Sequence, residues 1–280
     1  MHSGTSLDGK AVIVTGGGSG VGAAVAATAR AAGAHVVVTG RRADALDAVA
    51  KRTGAVAYPG DVTDPAHVAR LVETALEHTG RIDGVVANAG TMRPGSVVDL
   101  SVEDWDTTLA TNLTSVFLLA RAAVPHLAAA RGAFVSVSSI AGLRASSGAA
   151  AYAASKAGMT MLTQSIAADF GPLGVRANVV CPGWVRTEMA DEEMRVFGEP
   201  DGLALDAAYD EVTRLTPMRR PGTADEIAAA VAWLLSAESG YVNGAVLTVD
   251  GGTSIVDPGT VPFDFRIRPR TAEGDPAGTP

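Results

Sequence analysis

Cysteine is all but missing from this 280-residue chain: Cys181 stands alone, so no internal disulfide can form. It lies in the apolar run NVVCPG, where it reads as a small buried hydrophobe. A basic surplus is missing too. Lys and Arg number 22 against 30 Asp and Glu, a formal net charge of −8, which argues against a nucleic-acid backbone as partner. No uncharged apolar run reaches the roughly eighteen residues of a membrane span, and MHSGTSLDGK lacks the basic-then-apolar layout of a secretory signal. No membrane association and a cytoplasmic location are therefore expected. The histidines at 2, 35, 67, 78 and 126 fall on separate segments, so no metal site is expected. There is no internal repeat.

What the chain does have is a rhythm. Short β-branched runs alternate with longer Ala-rich segments of helical period, the pattern of βαβ units and a parallel sheet. The predicted strands are 11–15, 35–39, 55–58, 83–87, 133–138, 175–180 and 245–249. Their continuous apolarity predicts an α/β fold, a Rossmann-like doubly wound domain whose seven-stranded parallel sheet carries helices on both faces. One catalytic domain is expected over 1–252, followed by a Pro/Gly-rich extension over 253–280 that contains the alternating patch FDFRIR. Asp64-Pro65 and Gly80 bracket a helix, and Ser101/Asp104 and Thr223/Glu226 have capping-box spacing. Between about 188 and 222 the pattern loosens around one or two short helices, a long insertion at the carboxyl edge of the sheet and the expected substrate loop.

The first strand runs into TGGGSGVG, residues 15–22, and then into an apolar helix. Strand, glycine turn and helix form the context of a dinucleotide site: Gly16 permits the turn, Gly20 admits the pyrophosphate, and Gly22 allows close helix packing, with Gly18, Ser19 and Val21 completing the loop. The helix N-terminus offers free N–H groups to phosphate. At the end of the second strand, where an acidic residue would read the 2′-hydroxyl of NAD, stand Gly40, Arg41 and Arg42. Two guanidiniums without a carboxylate favour the 2′-phosphate of NADP. NAD remains open if both arginines merely solvate the next helix.

YAASKAG places Tyr152 and Lys156 four apart on one helix face. A nearby ammonium favours a phenolate, and a tyrosine so tuned can pass a proton to or from an alcohol oxygen. Upstream, FVSVSSIAG sets Ser139 at the carboxyl end of a predicted central strand, where its hydroxyl can polarise a carbonyl. Ser136, deeper in the strand, and Ser138 are rivals; if the strand persists to Ser138, alternation turns it away from the side of Ser139, and Ser138 stays as the alternative.

With DVTD (61–64), NAG (88–90), TNLTSVF (111–117), PGWVRTEM (182–189) and VDGG (249–252), these motifs resemble the short-chain dehydrogenase/reductase family over residues 7–252. The resemblance implies a hydride transfer between a nicotinamide and a ketone or secondary alcohol, with Tyr152 as acid/base, Ser139 orienting the carbonyl, and Lys156 lowering the tyrosine pKa and holding the ribose. It implies that Asn112 sustains a helix irregularity and a proton-relay water. It assigns Asp61 and Val62 to adenine, Asn88, Ala89 and Gly90 to the ribose side, and Val185 and Thr187 to the carboxamide, with Pro182 and Gly183 also on the cofactor. NADPH-dependent carbonyl reduction is expected. The alternatives are an NAD-linked dehydrogenase of a polyol, cyclic alcohol or steroid, or a dinucleotide-binding regulator without turnover. Met189, Met194, Phe197, Leu203, Leu205 and Tyr209 are expected either to form an apolar lid or to pack among themselves, with Leu143, Arg144 and Ala145 beside the substrate. The acidic run Asp191, Glu192, Glu193 disfavours polyanions. A homotetramer or homodimer joined through the long helices is expected.

Overall fold

Seven short apolar runs become strands because helices cover both of their faces. The computed structural model describes residues 5–257 and Gly259; the FDFRIR patch lies outside them. The strands are β1 (Ala11–Thr15), β2 (His35–Gly40), β3 (Val56–Pro59), β4 (Gly84–Ala87), β5 (Ala133–Val137), β6 (Arg176–Pro182) and β7 (Val246–Val249). They pair in the order β3-β2-β1-β4-β5-β6-β7, every pair parallel. Each matches a predicted run to within two residues at either end.

Alternation along the strands divides the core. Val12, Val14, Val36 and Val38 face one layer, made by α1 (Gly20–Ala31), α2 (Ala43–Thr53) and α9 (Ala224–Leu235). Ile13, Val37, Val85 and Phe134 face the other, made by α3 (Pro65–Thr79), α5 (Ser115–Ala130) and α6 (Ala150–Phe170). A shorter helix, α4 (Val102–Leu109), runs into α5 through one π turn, Ala110–Thr114. From Val102 to Ala130 this continuous run is long and apolar enough, by length and composition, to cross a membrane. Arg121 interrupts it, and Leu119, Ala123 and Leu127 pack into the core on the sheet.

The helix ends follow the sequence signals. Asp64 accepts from the Ala66 amide at 2.9 Å, Gly80 closes α3 at φ +72°, and Thr223 and Glu226 form a complete capping box. Ser101 makes only half of one. It accepts from the Asp104 amide, but the Asp104 carboxylate takes the Ser101 hydroxyl proton at 3.0 Å, because aspartate is one methylene too short to reach back to the backbone. Buried Asp83 fastens the start of β1 to the entry of β4: its carboxylate accepts from the Ala11 amide, from Arg81 at 2.6 and 2.8 Å, and from Lys10 at 3.1 Å.

Residues 188–222 contain α7 (Glu188–Gly198) and α8 (Leu205–Val212), which bury Ala190, Met194, Ala208 and Tyr209 between them. The Tyr209 hydroxyl donates to Asp191 at 2.9 Å, and Arg186 lies over its ring while pairing with Asp206.

Candidate active site

Because the sheet order reverses between β1 and β4, the loops leaving their carboxyl ends diverge and open a crevice. A cleft of about 770 Å³ lies there, with Gly16, Arg42, Asp61, Asn88, Ser139, Tyr152, Lys156 and Thr187 among its walls. Every predicted site residue except Gly22 and Asn112 lines it. Those two act from behind the wall.

The turn after β1 leaves no room for side chains. A Cβ on Gly22 would sit 2.2 Å from the Gly16 carbonyl oxygen, and one on Gly16, at φ +64°, would sit 2.9 Å from the backbone of Ala89. Thr15 ties the turn to β4, its hydroxyl accepting from the amides of Asn88 and Ala89 at 3.0 and 3.1 Å. The Asn88 amide returns a bond to the Thr15 carbonyl at 3.0 Å. Ser19 precedes α1 without capping it with its side chain, so its hydroxyl accepts instead from Arg42 at 2.8 Å. Beside them, a Cβ on Gly40 would meet nothing nearer than 3.9 Å. A cradle closed to side chains, an uncapped helix N-terminus and two guanidiniums at an open β2 end fit a dinucleotide phosphate.

At the other end of the cleft, α6 starts after Ala149 and carries Tyr152 and Lys156 on its inward face. Lys156 is buried at 4% exposure, and its ammonium donates to the Val137 carbonyl at 2.8 Å and lies 5.7 Å from the Tyr152 ring centre. Ser139 leaves β5 in extended conformation, accepts from the Ala141 amide at 3.1 Å, and lies beside the Tyr152 phenol. Its rivals are occupied elsewhere. Ser138 donates to the Lys156 carbonyl at 2.9 Å and Ser136 shares a 2.6 Å bond with Thr163.

Asn112 lies in the π turn, the helix irregularity the motif implied. Fully buried, it accepts from the Thr91 amide at 2.8 Å and donates to the Thr91 carbonyl at 2.9 Å and to Ser155 at 3.0 Å. Ser155 in turn donates to the Tyr152 carbonyl at 2.7 Å. One amide thus pins the NAG loop against the helix that carries the tyrosine.

The electrostatics differ from the sequence expectation. Burial pushes the Tyr152 phenol up to about 12, with the Ser139 hydroxyl pulling it down and Glu193 pushing it further up. Burial pushes Lys156 down to about 8. No lowering of the tyrosine by the lysine shows: burial outweighs the pull of Ser139, and the ammonium is directed to the Val137 carbonyl. Burial thus favours the neutral phenol, the form with a proton to give.

Of the two expectations for the apolar residues of 188–222, packing among the short helices is the one found for Met194, Leu205 and Tyr209, and the lid does not form. Of its six predicted members only Met189 lines the cleft; Met194 and Tyr209 are interior to the α7–α8 pair, and Phe197 and Leu203 are exposed. Leu143, Arg144 and Ala145 are exposed outside the cleft. Trp184, Met92, Ile140 and Glu193 take their places. Glu188 is a further member that local pattern did not reveal, pairing with Arg42 at 2.9 Å across 146 residues.

Comparison with known proteins agrees with this geometry. A family model described as enoyl-(acyl carrier protein) reductase matches residues 16–254. The chain is 41% identical to protein MoaE of Klebsiella aerogenes, over 91% of this chain and 99% of that protein. It is 35% identical to the meso-2,3-butanediol dehydrogenase of Serratia marcescens, over 90% and 97%. The crystal structure of levodione reductase superposes with a TM-score of 0.84 at 32% identity, covering 89% of this chain and 99% of that one. With the parallel sheet, the glycine cradle and the tyrosine–lysine helix in place, the chain belongs to the short-chain dehydrogenase/reductase family and is an NAD(P)-dependent oxidoreductase.

Proposed function

We propose that this enzyme reduces a ketone to a secondary alcohol with NADPH, using Tyr152 as proton donor. The observation that carries the reading is the meeting of Tyr152, Ser139 and a buried Lys156 in one wall of the cleft. Gly16, Gly18, Ser19, Gly20 and Val21 would hold the pyrophosphate, with Gly22 keeping α1 against the turn. Arg41 and Arg42 would hold the 2′-phosphate, and Asp61 and Val62 the adenine. Asn88, Ala89, Gly90 and Lys156 would take the ribose side, and Pro182, Gly183, Val185 and Thr187 the nicotinamide. When bound, the dinucleotide supplies or accepts a hydride.

The chain's own residues manage the oxygen. The Ser139 hydroxyl donates to the substrate carbonyl oxygen, which orients and polarises it. Tyr152 passes its phenolic proton to that oxygen as negative charge builds there. The phenolate left behind has the Lys156 ammonium nearby, 5.7 Å from the tyrosine ring centre, and Asn112 keeps the NAG loop and α6 in register throughout. Read backwards, the same groups oxidise a secondary alcohol.

A second reading, NAD-linked oxidation of a polyol or other secondary alcohol, draws on a specific contact. Arg42 is paired with Glu188, and Arg41 is within electrostatic reach of Asp61, so part of the positive charge at the 2′ position is already neutralised. Titrating the protein with NADPH and NADH by nicotinamide fluorescence separates the two. Tighter binding of NADPH supports reduction; tighter binding of NADH transfers the assignment to alcohol oxidation.

We also propose a homotetramer acting on a small-molecule substrate in the cytoplasm. Trp105, Phe117 and Met161, exposed on α4, α5 and α6, support association through these helices. Light scattering that returned a monomer would overturn this assignment.

A further inference from the structure

The acidic run on α7 divides its three carboxylates among three tasks. Asp191 accepts from the Tyr209 hydroxyl at 2.9 Å and closes the α7–α8 pair. Glu192 pairs with Arg195 at 2.8 Å on the exposed face. Glu193, one helical turn after Met189, lines the catalytic cleft with it, close enough for its charge to act on Tyr152. Among the described residues it has neither a hydrogen-bond nor an ion-pair partner. The other charged side chains in the cleft wall are Arg41, Arg42, Asp61 and Glu188 at the predicted 2′-phosphate and adenine end, and Lys156, whose ammonium is held by Val137. Among the described residues Glu193 is therefore the one carboxylate at the carbonyl end. It shares the cleft wall with Tyr152, Trp184, Ile140 and, one turn earlier on its own helix, Met189.

A part-buried carboxylate with no protein partner is poorly placed unless something in the cleft donates to it. We propose that Glu193 is a specificity-determining residue that accepts a hydrogen bond from a hydroxyl next to the reacting carbon. The preferred substrates are then α-hydroxy ketones and the vicinal diols they become, and 2-oxo acids are repelled. This rests on the reduction reading above and names its substrate class.

The test compares acetoin with 2-butanone, which differ by the one hydroxyl, in the wild type and in Glu193→Gln and Glu193→Leu. The ratio of kcat/KM for acetoin over that for 2-butanone is the readout, because damage to the fold lowers both values together. A charge-assisted hydrogen bond sets its size. In the wild type the ratio is expected to be about tenfold or more. Glu193→Leu should collapse it toward unity, and Glu193→Gln, which keeps an acceptor oxygen, should restore much of it while improving turnover of pyruvate. An unchanged ratio in Glu193→Leu would overturn the proposal.

Binding provides an arm independent of turnover. In the presence of NADP, meso-2,3-butanediol should raise the Tm of the wild type more than 2-butanol does, and Glu193→Leu should abolish that difference. If neither ketone is reduced, the reduction reading fails by itself, and the Tm difference alone decides the role of Glu193: present in the wild type and lost in Glu193→Leu it stands, otherwise it falls.

Discussion

Tyr152 and Lys156 share one desolvated wall and are shifted in opposite directions, the phenol to about 12 and the ammonium to about 8. Reduction requires the phenol protonated and the lysine charged. The phenol meets its condition up to about 12, whereas the lysine loses its charge as pH rises through about 8. The rate of ketone reduction is therefore expected to be flat below about 8 and to fall above it, while alcohol oxidation, which needs the phenolate, gains with rising pH. Initial rates in both directions across a pH series check this. A reduction limb that falls on the acidic side of neutrality instead would contradict it.

Some of these residues were legible from spacing alone. The i,i+4 step fixed the shared face of Tyr152 and Lys156. Alternation could not separate Ser139 from Ser138, because β5 ends at Val137 and both serines line the cleft. What sets Ser138 apart is its bond to the Lys156 carbonyl. The sign of the tyrosine shift was not legible, because it depends on burial and on which carbonyl the ammonium finds. Nor was the Arg42–Glu188 pair, whose partners have no periodic relation in the chain.

At the scale of elements, the turn between β1 and α1 is a rigid part with one permitted shape. Replacing Gly22 by Ala would drive a methyl to 2.2 Å from the Gly16 carbonyl oxygen, and backbone cannot yield as a flexible side chain does. Gly22→Ala is expected to weaken NADPH binding by about tenfold or more, about 1.4 kcal/mol, as the helix N-terminus is pushed off the phosphate site. The control is Gly80→Ala, where nothing stands within 4 Å and only the left-handed φ is strained; fluorescence titration should find its affinity close to that of the wild type. Equal weakening by both would contradict a steric cradle.

The strands and long helices were readable because each carries a period and a stop signal, such as Asp64 before α3 and Gly80 after it. The contents of 188–222 were not. Whether Met194 or Met189 faced the cleft depended on how α8 packed against α7, a tertiary choice that hydrophobic pattern leaves open. The π turn likewise has no local propensity signal, and only the motif around Asn112 pointed to it.

For the molecule as a whole, Asp83 is the polar staple between the first strand and the fourth. Burial raises its carboxyl, but the bonds from Arg81, the Ala11 amide and Lys10 outweigh burial and hold it below the ordinary value of 3.8. A carboxyl lowered by folding stabilises the native state above that ordinary value, and the contribution is lost as pH falls through the lower folded one. Asp83→Asn is expected to cost about 1–3 kcal/mol at neutral pH. It should also flatten the acid limb of the stability curve, as denaturant melts at a series of pH values would reveal. An unchanged midpoint at neutral pH would rule the staple out.

All of these parts converge on one chemical event, transfer of the Tyr152 proton to a substrate oxygen as hydride arrives. Its most direct test is NADPH oxidation driven by acetoin in the wild type and in Tyr152→Phe, with NADPH affinity measured in parallel. The expected result is a loss of about 10²–10⁴-fold in kcat for Tyr152→Phe with NADPH binding preserved, since only the proton donor has gone. Turnover by Tyr152→Phe near the wild-type rate would place the acid elsewhere and contradict the assignment.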